Sequence, residues 1–321
     1  MDVSVALDLG RLDERASNVL GRLLEILKAR RYAFITPTPE THARVLARPE
    51  RHRAGDVHDV LGWNLPFGPE LLDSELLTLL REAGVLVEAT DGLRCTVRVA
   101  SLGDELYLHS GFPPQVESVF FGPDTYRFAR FLCDKLDADR SIAVLVDLGT
   151  GAGAGAVVAA QRVSPAQVIL TDVNPRSLAV ARINLACAGV RADFRCGHVL
   201  EPVTEPADLI IANPPFIAGD NGRIYSDGGD LDGARASLDW ATAGSAQLTS
   251  GGRMLLYTGV GIIAGVDPLL NALRERLDAG RFELSYEEID PDIFGESLDL
   301  EAYRDVDRIA AVGAVITRRT S

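Results

Sequence analysis

The chain has 321 residues, 47% of them hydrophobic, which is enough to build two domains with sizeable cores. A net charge of −14 disfavours nucleic-acid binding, because an acidic surface repels phosphates. No apolar stretch approaches the roughly 20 residues of a membrane span. The start Met1-Asp2-Val3-Ser4 lacks the basic-then-apolar pattern of a secretory signal, and Cys95, Cys133, Cys187 and Cys196 form no C-x-x-C pair. The expectation is a cytoplasmic protein with reduced thiols, without membrane contact and without a metal site.

Leu12, Ala16, Val19, Leu20, Leu23, Leu24 and Leu27 recur at helical spacing and predict a helix with one apolar face. Leu71, Leu72, Leu76, Leu79 and Leu80 predict a second helix over residues 70–83. Strand-like segments follow at 85–88, 93–102 and 106–109, with Asp91-Gly92 and Gly103-Asp104 as turn signals. Helices followed by such hairpins suggest a winged-helix-like module in an N-terminal, acceptor-recognising domain over residues 1–110. Residues 28–53 hold seven basic side chains against two acids, Glu40 and Glu50. Residues 283–307 hold ten acids and one base, Arg304. Both runs read first as solvated faces. A sharper reading of the basic run is a surface for RNA or an acidic protein. The Pro- and Gly-bearing stretch 111–122 is the predicted junction to a second domain, residues 111–321.

From residue 142 the pattern changes. Apolar strands at 142–148, 168–171, 208–212 and 253–258 alternate with helical segments. This predicts an α/β fold with parallel strands and helical crossovers, a doubly wound, Rossmann-like sheet. Ligands of such sheets bind outside the carboxyl ends of the strands.

Three motifs stand at such ends. Val144-Leu145-Val146-Asp147-Leu148 runs into Gly149-Thr150-Gly151-Ala152-Gly153, where glycine allows positive φ and close backbone approach to a ligand. Asp172 ends the next strand, 19 residues after Gly153, where a carboxylate can accept from both hydroxyls of a ribose. Asn174 and Pro175 then open a helix over 175–188. A nicotinamide cofactor fits this much as well, although the order G-x-G-x-G departs from the dinucleotide G-x-G-x-x-G. The third motif is Asn213-Pro214-Pro215-Phe216, at the exit of the strand 208–212. Two prolines fix the backbone. The Asn213 side-chain oxygen and the Pro214 carbonyl can then accept from the two N–H groups of a planar amine or amide, with Phe216 stacked on its plane.

This set resembles the class I S-adenosylmethionine-dependent methyltransferases that modify the nitrogen of a planar amino or amide group. These include the protein-glutamine N5, N6-adenine and rRNA guanine N2 enzymes. The resemblance covers about residues 117–321. It implies S-adenosylmethionine as cofactor, held by Asp147, Gly149, Thr150, Gly151, Gly153, Asp172 and Val173. It also implies a catalytic set of Asn213, Pro214, Pro215 and Phe216, with Asn213 placed next to the cofactor as well. Phe120-Phe121-Gly122-Pro123-Asp124-Thr125 resembles the segment that closes over the methionine end, with Asp124 or Thr125 capping a helix from Tyr126. The family commonly carries an acid for the adenine amino group where this chain has His198. A neutral imidazole can accept in its place, with the Val199 N–H serving adenine. Gly228-Gly229-Asp230-Leu231-Asp232-Gly233 resembles a loop of the protein-glutamine branch. The leading expectation is therefore methylation of a protein glutamine. The alternatives are an RNA or DNA base methyltransferase and an S-adenosylmethionine-binding protein with non-methylating chemistry.

Overall fold

A computed structural model describes residues 12–115, 117–216 and 233–320. The chain divides into two compact units. One comprises Met1–Arg127, Gly151–Ala154 and Asn174–Val190; the other comprises Phe128–Thr150, Gly155–Val173 and Arg191–Ser321.

In the first unit the first four helices each start where a side-chain oxygen takes up amide groups that the helix leaves unpaired. Asp13 caps α1 (Glu14–Ala29), Thr38 caps α2 (Pro39–Leu46), Asp56 caps α3 (Val57–Leu61) and Asp73 caps α4 (Ser74–Glu82). The expected face of α1 buries Leu20, Leu23, Leu24 and Leu27. The expected helix 70–83 is shorter at its start. Asp73 accepts from the N–H groups of Glu75 and Leu76, and this cap fixes the first turn later than the apolar spacing suggests. The short helices α2 and α3 lie outside the expectation, being too brief for a 3.6-residue period to show.

Two hairpins follow, β1 (Leu86–Ala89) with β2 (Gly92–Cys95), and β3 (Val97–Leu102) with β4 (Glu105–Ser110). The expected single strand 93–102 is thus two strands in separate sheets. It breaks at Thr96, whose N–H bonds back to Val85 and whose carbonyl takes the N–H of Gly111. Four of the seven basic residues of 28–53 are ion-paired within this unit. Lys28 meets Glu105 at 2.6 Å, Arg30 meets Asp73 and Glu75, Arg51 meets Asp59 at 2.5 Å, and Arg53 meets Glu70 at 3.4 Å. This favours the solvated-face reading of the run.

The chain continues through α5 (Pro123–Lys135), β5 (Val144–Leu148), α6 (Ala154–Val163), β6 (Gln167–Asp172), α7 (Pro175–Cys187), β7 (Asp193–Cys196), β8 (Ala207–Ala212), α8 (Arg235–Gln247), β9 (Leu248–Ile262), α9 (Pro268–Arg276), β10 (Phe282–Asp290) and β11 (Arg308–Arg318). Helix α5 begins at Pro123, a favoured first helical residue, and not at Tyr126. Asp124 and Thr125 therefore lie in its first turn and are not its caps.

The seven strands β5 to β11 form one sheet in the order β10-β11-β9-β8-β5-β6-β7, in the second unit. The pairs β6–β7, β5–β6, β5–β8 and β8–β9 are parallel, as the alternation predicts. The sheet is mixed, however, because β11 runs antiparallel to both β9 and β10. The link between β10 and β11 carries two short 3₁₀ turns (Gly295–Asp299 and Glu301–Tyr303) in place of a crossover helix, and an antiparallel pair needs none. Val146, Ile169, Ile210, Met254 and Leu256 are fully buried in the core of this unit, as central strands covered on both faces require. Asp208 ties three strand starts together: one carboxylate oxygen accepts from the N–H groups of Ala143 and Val144, the other from the Thr249 hydroxyl.

Candidate active site

Strand register brings the motifs of the second unit together. Leu148 of β5 pairs with Thr171 of β6 on one side and with Ala212 of β8 on the other. The next residues along each strand, Gly149, Asp172 and Asn213, therefore leave the sheet side by side at its carboxyl edge. Asp172 and Asn213 flank β5, so their strands stand two spacings apart, about 10 Å. This is the edge where open α/β sheets bind ligands.

The loop after β5 is shaped by its glycines. Gly149 has φ +63, and a Cβ there would lie 2.5 Å from the Trp240 ring of α8. Gly151 has φ +54, and among the described residues a Cβ on it would meet nothing within 4 Å. The first glycine serves packing, and the second takes the left-handed turn with space beside its Cα. The Thr150 N–H bonds to the Thr171 carbonyl at 3.0 Å, and its hydroxyl donates to Asp147 at 2.7 Å. Asp147 is 2% exposed. Burial pushes its carboxyl up to about 7, opposed by the bonds from Thr150 and the Ala156 N–H, with the charge of Asp172 adding to the rise.

Asp172 is half-buried and the Val173 side chain beside it is 46% exposed. The Gly197 N–H bonds to the Asp172 carbonyl and so joins the end of β7 to the end of β6. His198 is exposed, and its N–H donates to Glu201. Val199 holds φ +49, a costly conformation for a β-branched residue and of the kind found at ligand clamps. A carboxylate followed by an exposed apolar side chain, with strained backbone after the neighbouring strand, suits a nucleoside: polar toward ribose, apolar toward a base. The residues present thus fit an adenosine-bearing cofactor.

At the β8 exit Asn213 is half-buried and Pro214 buried, with Pro215 half-buried between Pro214 and Phe216. Phe216 is 8% exposed, less open than a free stacking platform. Its ring lies against Gly259, where a Cβ would approach it to 2.4 Å, and edge-on to Phe294, with ring centres 5.7 Å apart. The Tyr303 hydroxyl reaches the Phe216 carbonyl at 3.5 Å. Phe294 is half-buried and holds φ +53, a strained state for a bulky residue. Sequence reading missed Trp240, Gly259, Phe294 and Tyr303. The last two lie inside the acidic run 283–307, where charge masks them.

Thr125, Gly151 and Gly153 belong to the first unit. There the Thr125 hydroxyl accepts from the Gly122 N–H at 3.3 Å. Of the stretch Gly228 to Gly233, residues 228–232 lie outside the described residues. Among the described residues no cluster of His, Cys, Asp or Glu could hold a metal ion, and no helix is long and apolar enough to cross a membrane.

Residues 118–227, which contain all three motifs, match the family model described as methyltransferase small domain. The resemblance to class I methyltransferases read from the motifs is thereby borne out over this segment. Curated relatives include a release factor glutamine methyltransferase of Cereibacter sphaeroides, 40% identical over 36% of this chain and 47% of its own length. A protein of the same name from Geobacter sulfurreducens is 30% identical over 37% of this chain and 46% of its own length. The chain thus spans less than half the length of these relatives. Among solved structures, an rRNA methylase from Streptococcus thermophilus covers 63% of this chain and 99% of its own, with TM-score 0.42 and 16% identity.

Proposed function

We propose that this chain is an S-adenosylmethionine-dependent methyltransferase acting on a planar amide or amino nitrogen, with a protein glutamine side chain as acceptor. The observation that carries the reading is Asn213-Pro214-Pro215-Phe216 leaving β8 level with Asp172 leaving β6, on one sheet edge. When bound, S-adenosylmethionine supplies a methyl group on a sulfonium, already a strong donor. In this reading Asp172 accepts from the ribose hydroxyls and Val173 lies against adenine, with His198 and the Val199 N–H at the adenine edge. Asp147, Gly149 and Thr150 serve the methionine end, a role that the resemblance extends to Gly151, Gly153 and Thr125. The Asn213 side-chain oxygen and the Pro214 carbonyl each accept one N–H of the target. Those acceptors draw the nitrogen lone pair out of conjugation and offset the positive charge that develops on it. Pro215 keeps the exit rigid, and Phe216 with Phe294 walls the planar group. The nitrogen would take the methyl, leaving the sulfonium as a neutral thioether, and would then shed one proton, so the protein's contribution is mainly proximity and alignment.

Residues 1–110 serve as the acceptor-recognising domain in this reading, and residues 111–321 as the catalytic domain. A protein acceptor is supported by the names of the curated relatives. The net charge and the ion-paired basic run argue against RNA. Such an enzyme works in the cytoplasm, where newly made proteins are at hand. The test is tritiated-methyl transfer into a lysate that lacks this protein. Label should appear with added enzyme, survive ribonuclease and be lost to protease. Loss to ribonuclease would establish the RNA reading instead, and absence of any transfer by an enzyme that binds cofactor would leave a non-methylating binder.

A further inference from the structure

Helix α7 carries a polar residue where its neighbours are core. Ile183 and Leu185 are buried, and between them Asn184 is 1% exposed. Asparagine is a poor choice for a helix interior unless its amide has work elsewhere. Here every amide function is engaged. Oδ1 accepts from the Leu108 N–H at 2.8 Å, and Nδ2 donates to the Leu108 carbonyl at 3.0 Å and to the Ala152 carbonyl at 2.9 Å. Among the described residues strand β4 pairs only with β3, so the Asn184 amide continues its other edge as a neighbouring strand would. The third bond ends in the glycine loop, since Ala152 stands between Gly151 at φ +54 and Gly153 at φ +82. The same helix seats that loop by contact: a Cβ on Gly153 would lie 2.5 Å from Leu185 and 3.1 Å from Ala181. All these groups belong to the first unit.

We infer that Asn184 is a positioning residue that ties the glycine loop, through the Ala152 carbonyl, to strand β4 and thereby sets affinity for the cofactor. The inference rests on the methyltransferase reading above. A loop made of left-handed glycines has many alternative conformations, and the backbone amides offered to a ligand are ordered only while neighbouring carbonyls are held. Removing the Asn184 amide leaves the 4% exposed Ala152 without that bond and frees the loop. It also frees the edge of β4, so cofactor binding and the order of β4 are coupled in both directions.

The experiment uses the full chain, with Asn184→Ala and Asn184→Asp beside the wild type, titrated with S-adenosylmethionine by calorimetry. Both variants should raise the Kd about fivefold or more. At saturating cofactor, kcat and the acceptor KM should stay within about twofold. A merely structural Asn184 would lower the melting temperature and leave the Kd of the folded protein unchanged, and that result overturns the inference. Should neither variant fold, hydrogen exchange on the wild type decides: saturating S-adenosylmethionine should slow exchange of the Leu108 amide, and no change there overturns the coupling. If the wild type itself binds no cofactor, the methyltransferase reading falls and this inference with it. Binding by the wild type with equal binding by the variants sinks this inference alone.

Discussion

The exits of β6 and β8 stand on one sheet edge, yet they are held in different ways. At β6 the local chain does nearly everything. The strand delivers Asp172, the next residue delivers Val173, and the glycines after β5 bend the neighbouring backbone. At β8 the motif Asn213-Pro214-Pro215-Phe216 is local, but its setting is remote. Phe216 is seated by Gly259 of β9 and by Phe294 and Tyr303 from the link before β11, residues 43 to 87 positions away. A cofactor shared by many enzymes can be held by a compact, local device. In the proposed reading the acceptor is met by parts drawn from a distant link. Substitutions at β6 should therefore act on cofactor affinity, and those at β8 and its supports on turnover.

The sharpest break of the comparison is at Asn213. If it accepts from the target nitrogen, Asn213→Ala should cut methyl transfer by about 10²-fold or more, the range for one preorganised polar group in an active site. Cofactor affinity should hardly change. Single-turnover transfer beside a binding titration checks both halves of this statement. Loss of cofactor binding with the fold intact would move Asn213 to the cofactor side.

Next in size is Asp172. Removing a charged partner of the ribose hydroxyls should cost about 1.5–3 kcal/mol, so Asp172→Ala should weaken S-adenosylmethionine binding about tenfold or more. Calorimetry that returns the wild-type Kd would take the ribose role away from this residue.

The sheet and its ligand edge were legible in the sequence because parallel central strands are unbroken apolar runs, and each of β5, β6 and β8 ends on a punctuating residue: Gly149, Asp172, Asn213. The position of β11 was not legible. Its Ala- and Val-rich run is what a buried strand needs, but nothing in those residues states that it enters antiparallel between β9 and β10. Phe294 is hidden for a related reason. Left-handed φ is normally announced by glycine, and here Gly295 stands one position too late.

A smaller effect comes from the Asp147 carboxyl, raised by burial from 3.8 to about 7. A carboxyl raised on folding favours the protonated native state. Its contribution is therefore most favourable below about pH 4 and is lost as the pH climbs to about 7. Asp147→Asn carries no such titration. The melting temperature of the variant relative to wild type should shift in the variant's favour by a few degrees between about pH 4 and pH 8. Because the charge of Asp172 adds to the rise, Asp172→Ala should move the wild-type transition to lower pH. A melting-temperature difference that is flat with pH would show that Asp147 does not titrate in this window.

The smallest effect separates strain from contact at Phe294. Phe294→Ala removes the ring that meets Phe216 but leaves a side chain at φ +53. Phe294→Gly removes the same ring and also relieves the left-handed conformation, whose cost is roughly 1–2 kcal/mol for a residue with a Cβ. Against that gain stands the greater chain entropy that glycine loses on folding, roughly 0.5–1 kcal/mol. Glycine should therefore be the more stable of the two variants by about 0.5–1 kcal/mol in urea unfolding. Both should lose turnover to a similar extent, because both lack the ring beside the acceptor, and cofactor affinity should not distinguish them from wild type. Equal stability of the two variants would mean that the φ of Phe294 costs no more than the chain entropy that glycine loses, roughly 0.5–1 kcal/mol. Turnover retained in both would remove Phe294 from the acceptor wall and leave Phe216 supported by Gly259 and Tyr303.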